Sequence, residues 1–154
     1  MDLAVHDFDW IRWTFGEVKH VFANGIDHRW PAGLDYALVT MTLDSGALAH
    51  TEASWADPAG FRAAFEVAGS GGFFEYDNRW TPPLRTVNEK GTFNESPMAP
   101  ADDPYFRQLS AFIEAVDNGT DPPVTAIDGL RAVAIAEAAI ESVKSGKPVI
   151  PARG

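Results

Sequence analysis

Asp2, His6 and Asp9 put two carboxylates and an imidazole in the opening segment of the chain, Asp2-Leu-Ala-Val-His6-Asp7-Phe-Asp9-Trp-Ile-Arg-Trp-Thr-Phe-Gly16. Residues at the i, i+4 and i+7 positions of a helix stack above one another on one stripe. Val5, Phe8, Ile11 and Phe15 supply an apolar side next to it. The chemistry such a stripe could perform is acid–base work on a small substrate. A histidine ordinarily titrates near neutrality and can take a proton from a hydroxyl, and a neighbouring carboxylate can orient the ring and stabilise its charged form. Two blander readings compete. The acidic residues could complement the dipole of an N-terminal helix, with His6 on a solvated face. A metal site built from Asp2, His6 and Asp9 is disfavoured, because three ligands from a single helix make poor coordination geometry.

The elements that would position these groups follow from periodicity and turn chemistry. The first helix stops at Gly16, and Glu17 to Ala23, with β-branched and aromatic residues, reads as a strand leading into a turn-rich piece from Asn24 to Gly33. Tyr36 to Leu43 and Ala47 to Trp55, joined through Asp44-Ser45-Gly46, read as a β-hairpin. Phe61 to Ala68 and Gly72 to Tyr76 make a second pair, Leu84 to Val87 adds a short strand, and residues 91 to 103 read as a connecting loop. Two helices close the chain. One carries Tyr105, Leu109, Phe112, Ile113 and Val116 and ends at Asn118-Gly119; the other starts after Thr125 and stops at Ser145-Gly146. The predicted fold is α+β, a single domain with an open, mainly antiparallel sheet of five or six strands and helices on one face. The other face must meet water, a second subunit or a second domain, and Thr40, Thr42, Thr51 and Ala53 are the candidates for its outward row.

Composition narrows the function classes. A chain of 154 residues that is 45% hydrophobic and 12% aromatic can bury one sizeable core. Its 22 acidic against 12 basic residues, a formal charge of -10 with no basic cluster, argue against nucleic acid as a partner. Without cysteine there is no thiolate nucleophile and no disulfide framework, which fits the cytoplasm. No apolar run is long enough to span a bilayer, so no membrane partner is expected. Trp10, Trp13, Trp55 and Trp80 read as core or interface residues rather than platforms for a sugar ring.

The pattern Asp2-x-x-x-His6-Asp-x-Asp9-x-x-Arg-Trp-x-x-Gly16 resembles the start of the C-terminal domain of the glucose–fructose oxidoreductase, inositol dehydrogenase and rhizopine-catabolism family of NAD(P)-dependent dehydrogenases. The likeness continues through Asp35 to His50, Phe65-Glu66-Val67-Ala68-Gly69-Ser70-Gly71, Pro123-Val124, Asp128-Gly129-Leu-Arg-Ala and Ser142-x-x-x-Gly146-x-x-Val149. The resemblance implies an open antiparallel sheet with helices on one face, normally preceded by a Rossmann domain that binds NAD or NADP. It implies that Asp2 and His6 match the pair that holds a substrate hydroxyl and relays its proton as hydride leaves. Asp9, one turn on, would support them as a substrate-binding residue, and His28 in the turn-rich loop could line the pocket of a sugar, cyclitol or related polyol. It also implies a homodimer through the open sheet face. The cofactor half is not in this sequence: no strand precedes a Gly-x-Gly-x-x-Gly turn, and Gly69-Ser70-Gly71-Gly72 fails because Phe74 stands where the last glycine belongs. This chain alone is therefore expected to bind no nicotinamide and not to turn over. The rival, from a different class, is a non-catalytic module that keeps the fold to bind a small ligand or to assemble with another subunit.

Overall fold

The computed structural model describes residues 1–26, 35–55, 58, 60–96 and 103–153, and among these described residues it has three helices and seven strands. The order is α1 (Val5–Phe15), β1 (Val18–Ile26), β2 (Tyr36–Leu43), β3 (Leu48–Ser54), β4 (Ala64–Gly69), β5 (Gly72–Asp77), β6 (Leu84–Asn88), β7 (Gly91–Glu95), α2 (Pro104–Asn118) and α3 (Ala126–Ser145). The class is α+β, and among the described residues every strand pairing is antiparallel. The strands divide between a three-stranded sheet, β1-β2-β3, and a four-stranded sheet, β4-β5-β6-β7. The chain correspondingly falls into two compact units, Met1–Asp57 with Pro122–Gly154, and Pro58–Asp121.

The first unit carries the candidate site. α1 has no side-chain cap at its N-terminus and is only 11 residues long, so packing rather than intrinsic propensity must hold it. Ala4, Phe8 and Ile11 form its buried stripe, and Gly16, at φ 103°, ends it by donating its N–H to the Arg12 carbonyl. β2 along its length, and β1 from Val21 onward, alternate, sending Val21, Ala23, Ala37, Val39 and Met41 into the same core. α3 meets them with Ile135, Ala136, Ala138 and Ala139, small side chains that let the helix lie close to the sheet. Its ends are well capped: Thr125 and Asp128 form a capping box, and Gly146 closes the C-terminus in the left-handed conformation. Ser142, fully buried, accepts from the Ala23 N–H at 2.9 Å and donates to the Lys147 carbonyl at 2.7 Å. The chain then returns to β1, where Val149 and Val21 exchange two backbone hydrogen bonds of 2.8 Å. Both α1 and α3 thus cover the core face of the sheet.

The open face of that sheet corrects one expectation. Thr40 pairs with His50 in register, with their side chains bonded at 3.1 Å, so Thr40, Thr42 and His50 face outward. Thr51 and Ala53 do not join them: Thr51 lies opposite Val39 and Ala53 opposite Ala37, on the core side. Strand parity decides this, since neighbours on a strand point to opposite faces. Phe22, Leu38 and Leu48 are exposed on the outward side.

In the second unit, Phe65 stacks on Tyr76 at 5.2 Å and meets Phe74 edge-on at 6.0 Å. Gly69-Ser70-Gly71-Gly72 is the turn between β4 and β5. β7 lies where a loop was expected; it pairs with β6 through the tight turn at Glu89-Lys90. All five of its residues are exposed, so it lacks the apolar alternation that would betray a strand. α2 is capped by Asp103, which accepts from the N–H groups of Tyr105 and Phe106, and ends at Gly119. Its apolar positions Tyr105, Leu109, Phe112, Ile113 and Val116 are exposed.

Candidate functional site

Asp2 lies in the turn that leads into α1, one residue pair before the helix proper. The Val5 N–H donates to the Met1 carbonyl at 3.1 Å and the Phe8 N–H to the Ala4 carbonyl at 3.0 Å, so the helical spacing runs back through the turn. His6, in the first turn of α1, is exposed. Asp2 and His6 therefore sit one helical turn apart at the start of the chain, and among the described residues no hydrogen bond or ion pair joins them.

Asp2 Oδ1 accepts from the indole N–H of Trp55 at 3.4 Å and lies 3.7 Å from the amino terminus. The indole bond, aided by the terminal charge, holds its carboxyl below the usual carboxylate value, against the opposing effect of desolvation. Asp2 is thus a carboxylate at neutral pH, suited to stabilise a positive charge and not to donate a proton. It borders a shallow, open recess lined also by Ala4, Asp35, Ala37, Ser54 and Trp55. Asp35, at the entry to β2, is buried, and its carbonyl accepts from the Trp55 N–H at 3.1 Å. Neither Trp55 nor Asp35 was among the residues expected here. Trp55 lies 53 positions from Asp2, and only the pairing of β3 with β2 carries it to the start of α1. Trp55, Trp13 and Trp80 are exposed, whereas Trp10 packs against the core and meets Phe15 edge-on at 5.6 Å.

Asp9 is placed differently. Its carboxylate lies 3.6 Å from the Arg12 guanidinium, and its Oδ1 is buried without a hydrogen-bond partner. Arg12, whose side chain is 7% exposed, also donates to Glu17 at 3.0 Å and to Asp128, while Arg131 donates to Glu17 at 2.5 Å. Burial works against the Arg12 charge, but its bonds to Asp128 and Glu17 outweigh this and raise its pKa. Asp128 is held down at about 2 by the hydrogen bonds from Thr125 and by Arg12. This cluster clamps α1 to the N-terminus of α3, so Asp9 belongs to the support of the helix that bears His6. His28 lies outside the described residues. Among the described residues no group of three or more His, Cys, Asp or Glu could hold a metal ion, and no helix is long and apolar enough to cross a membrane.

The chain is similar to known proteins over nearly its whole length. The chain is 31% identical to myo-inositol 2-dehydrogenase of Thermotoga maritima over 97% of its length and 48% of the relative's. A solved structure of a probable dehydrogenase from Thermotoga maritima is 30% identical with a TM-score of 0.77, over 97% of this chain and 48% of that one. A levoglucosan dehydrogenase solved with NADH shares the fold at a TM-score of 0.88 and 17% identity, over 99% of this chain and 50% of that one. The chain thus spans about half the length of the relatives it matches. Residues 1–150 match the family model described as the C-terminal alpha/beta domain of the oxidoreductase family, which is the glucose–fructose oxidoreductase and inositol dehydrogenase family, and the chain belongs to it.

Proposed function

We propose that this chain is the substrate-binding half of an NAD(P)-dependent oxidoreductase acting on a sugar, cyclitol or related polyol. The observation that carries the reading is Asp2, ionised and at the lip of a recess, with His6 one turn further along. In this reading His6 takes the hydroxyl proton of the substrate as its C–H bond gives hydride to a nicotinamide held by a Rossmann domain outside this sequence. Asp2 orients the imidazole and stabilises the imidazolium. Asp9 acts through Arg12, keeping α1 in place. The turn at Gly69 to Gly72 joins two strands, not a strand and a helix. The exposed apolar residues Phe22, Leu38 and Leu48 on the open sheet face support pairing with a second copy there.

The test is a chimera in which this chain replaces the matching half of an inositol dehydrogenase, assayed for polyol-dependent reduction of NAD and NADP. We expect turnover with at least one cyclitol or sugar, reduced about a hundredfold or more by His6→Ala, the usual scale for losing a general base. A folded chimera whose turnover is unchanged by both His6→Ala and Asp2→Asn refutes the assignment.

A further inference from the structure

Trp55 closes β3 with most of its side chain in water: the residue is 64% exposed although it is the largest apolar group around the recess. Leaving an indole exposed forgoes stabilisation of roughly 25 cal/mol for each Å² of apolar surface kept in water, so packing does not account for its place. Its orientation is nonetheless defined. The backbone N–H is bonded to the Asp35 carbonyl at 3.1 Å and the indole N–H to Asp2 Oδ1 at 3.4 Å. One edge of the ring is thereby tied to the carboxylate at the head of α1, and the rest of the indole remains accessible beside Ser54 and Asp35.

That combination matches the two-sided chemistry of a cyclic polyol. Such a ring presents hydroxyls around its rim, which the exposed Asp2 carboxylate can bond, and C–H groups on its faces, which prefer an aromatic surface to water. The recess itself is shallow and open, with room beneath its rim for no more than a water molecule, so a ring would lie across the exposed indole rather than enter it. We propose that Trp55 is a specificity-determining residue of the substrate site, carrying the C–H face of a single cyclic polyol on its indole while its N–H holds Asp2 in position. This rests on the proposed polyol reading and adds to it the contact that selects a ring over an open-chain alcohol.

The experiment uses the 154-residue chain with myo-inositol, and with glycerol as the open-chain comparison, followed by saturation-transfer NMR and by titration of the Asp2 carboxyl carbon. In the wild type, saturation passes from the Trp55 indole protons to inositol, and inositol binds more tightly than glycerol. Trp55→Ala weakens inositol about tenfold, the scale of an aromatic contact, and abolishes the preference over glycerol. Trp55→Phe keeps a ring without the N–H: the Asp2 pKa rises toward its ordinary value while part of the inositol preference remains. Trp55 is exposed, so both variants should fold, which their amide spectra check. If Asp2→Asn weakens inositol but Trp55→Ala does not, the Trp55 proposal is overturned and the polyol reading stands. If neither substitution alters binding, or wild-type chain gives no saturation transfer, both fall.

Discussion

Arg12 is where the fold that presents His6 is most open to attack. Its guanidinium reaches Glu17 at 3.0 Å and Asp128 on α3, with Asp9 at 3.6 Å. Replacing it by methionine keeps most of the aliphatic stem but removes the cation shared by Asp9, Glu17 and Asp128, leaving Arg131 bonded to Glu17 and Thr125 to Asp128. Breaking a buried ion pair from one side costs about 3–5 kcal/mol because a charge is left without a partner. Here the partners are 25% to 34% exposed, so water relieves part of that penalty, and a loss of about 2–4 kcal/mol is expected. Two lost hydrogen bonds between charged groups, at about 1.5–3 kcal/mol each before rehydration of the partners, lead to the same range. The assay is urea unfolding at neutral pH, followed by far-UV circular dichroism and by hydrogen exchange at the Phe8 and Ile11 amides. Arg12→Lys retains the charge but cannot span Glu17 and Asp128 with two separate nitrogens, so it should fall between wild type and Arg12→Met. Adding Asp128→Asn to Arg12→Met should cost less than the sum of the single changes, since their interaction is already gone. A loss below about 0.5 kcal/mol for Arg12→Met, or strict additivity with Asp128→Asn, would refute the claim that this cluster holds α1 on α3.

Acid should expose the same cluster. Asp128 titrates at about 2 in the fold against 3.8 unfolded, so its contribution is complete above pH 3.8 and disappears as pH falls through 2. Stability should rise with pH across that window by about 1–2 kcal/mol after allowance for solvent screening, and Asp128→Asn should flatten the slope in denaturant titrations. Gly72→Ala should strain the β4–β5 turn: φ is +132°, and a Cβ would stand 2.2 Å from the Val87 carbonyl oxygen. A cost of about 1–3 kcal/mol or more, confined to β4–β7 and read by limited proteolysis, is expected; unchanged protection would contradict it. Ser142→Ala leaves the Ala23 N–H and the Lys147 carbonyl without their partner, which should lower stability by about 1–3 kcal/mol in thermal melts. A melting temperature equal to that of the wild type would show that water replaces the hydroxyl.

Much of the architecture is written locally. The alternation of Tyr36 to Leu43, the Asp44-Ser45-Gly46 turn, the caps at Thr125, Gly119 and Gly146, and the stop at Gly16 each depend on residues a few positions apart, and each delivers the expected element. The same holds for the Asp2 and His6 spacing, since helical geometry alone sets them one turn apart. What depends on distant partners could not be read this way. The division of the strands into two sheets, the outward turn of His50 and the inward turn of Thr51 are fixed by which strands pair and in what register. The pairing of Arg12 with Asp128 and the bond from Trp55 to Asp2 join residues 116 and 53 positions apart. Hydrophobic period and capping signals report only a residue's own turn or strand; charge pairing and substrate contact require two surfaces to meet, and that meeting is decided by the packing of α1 and α3 against β1–β3.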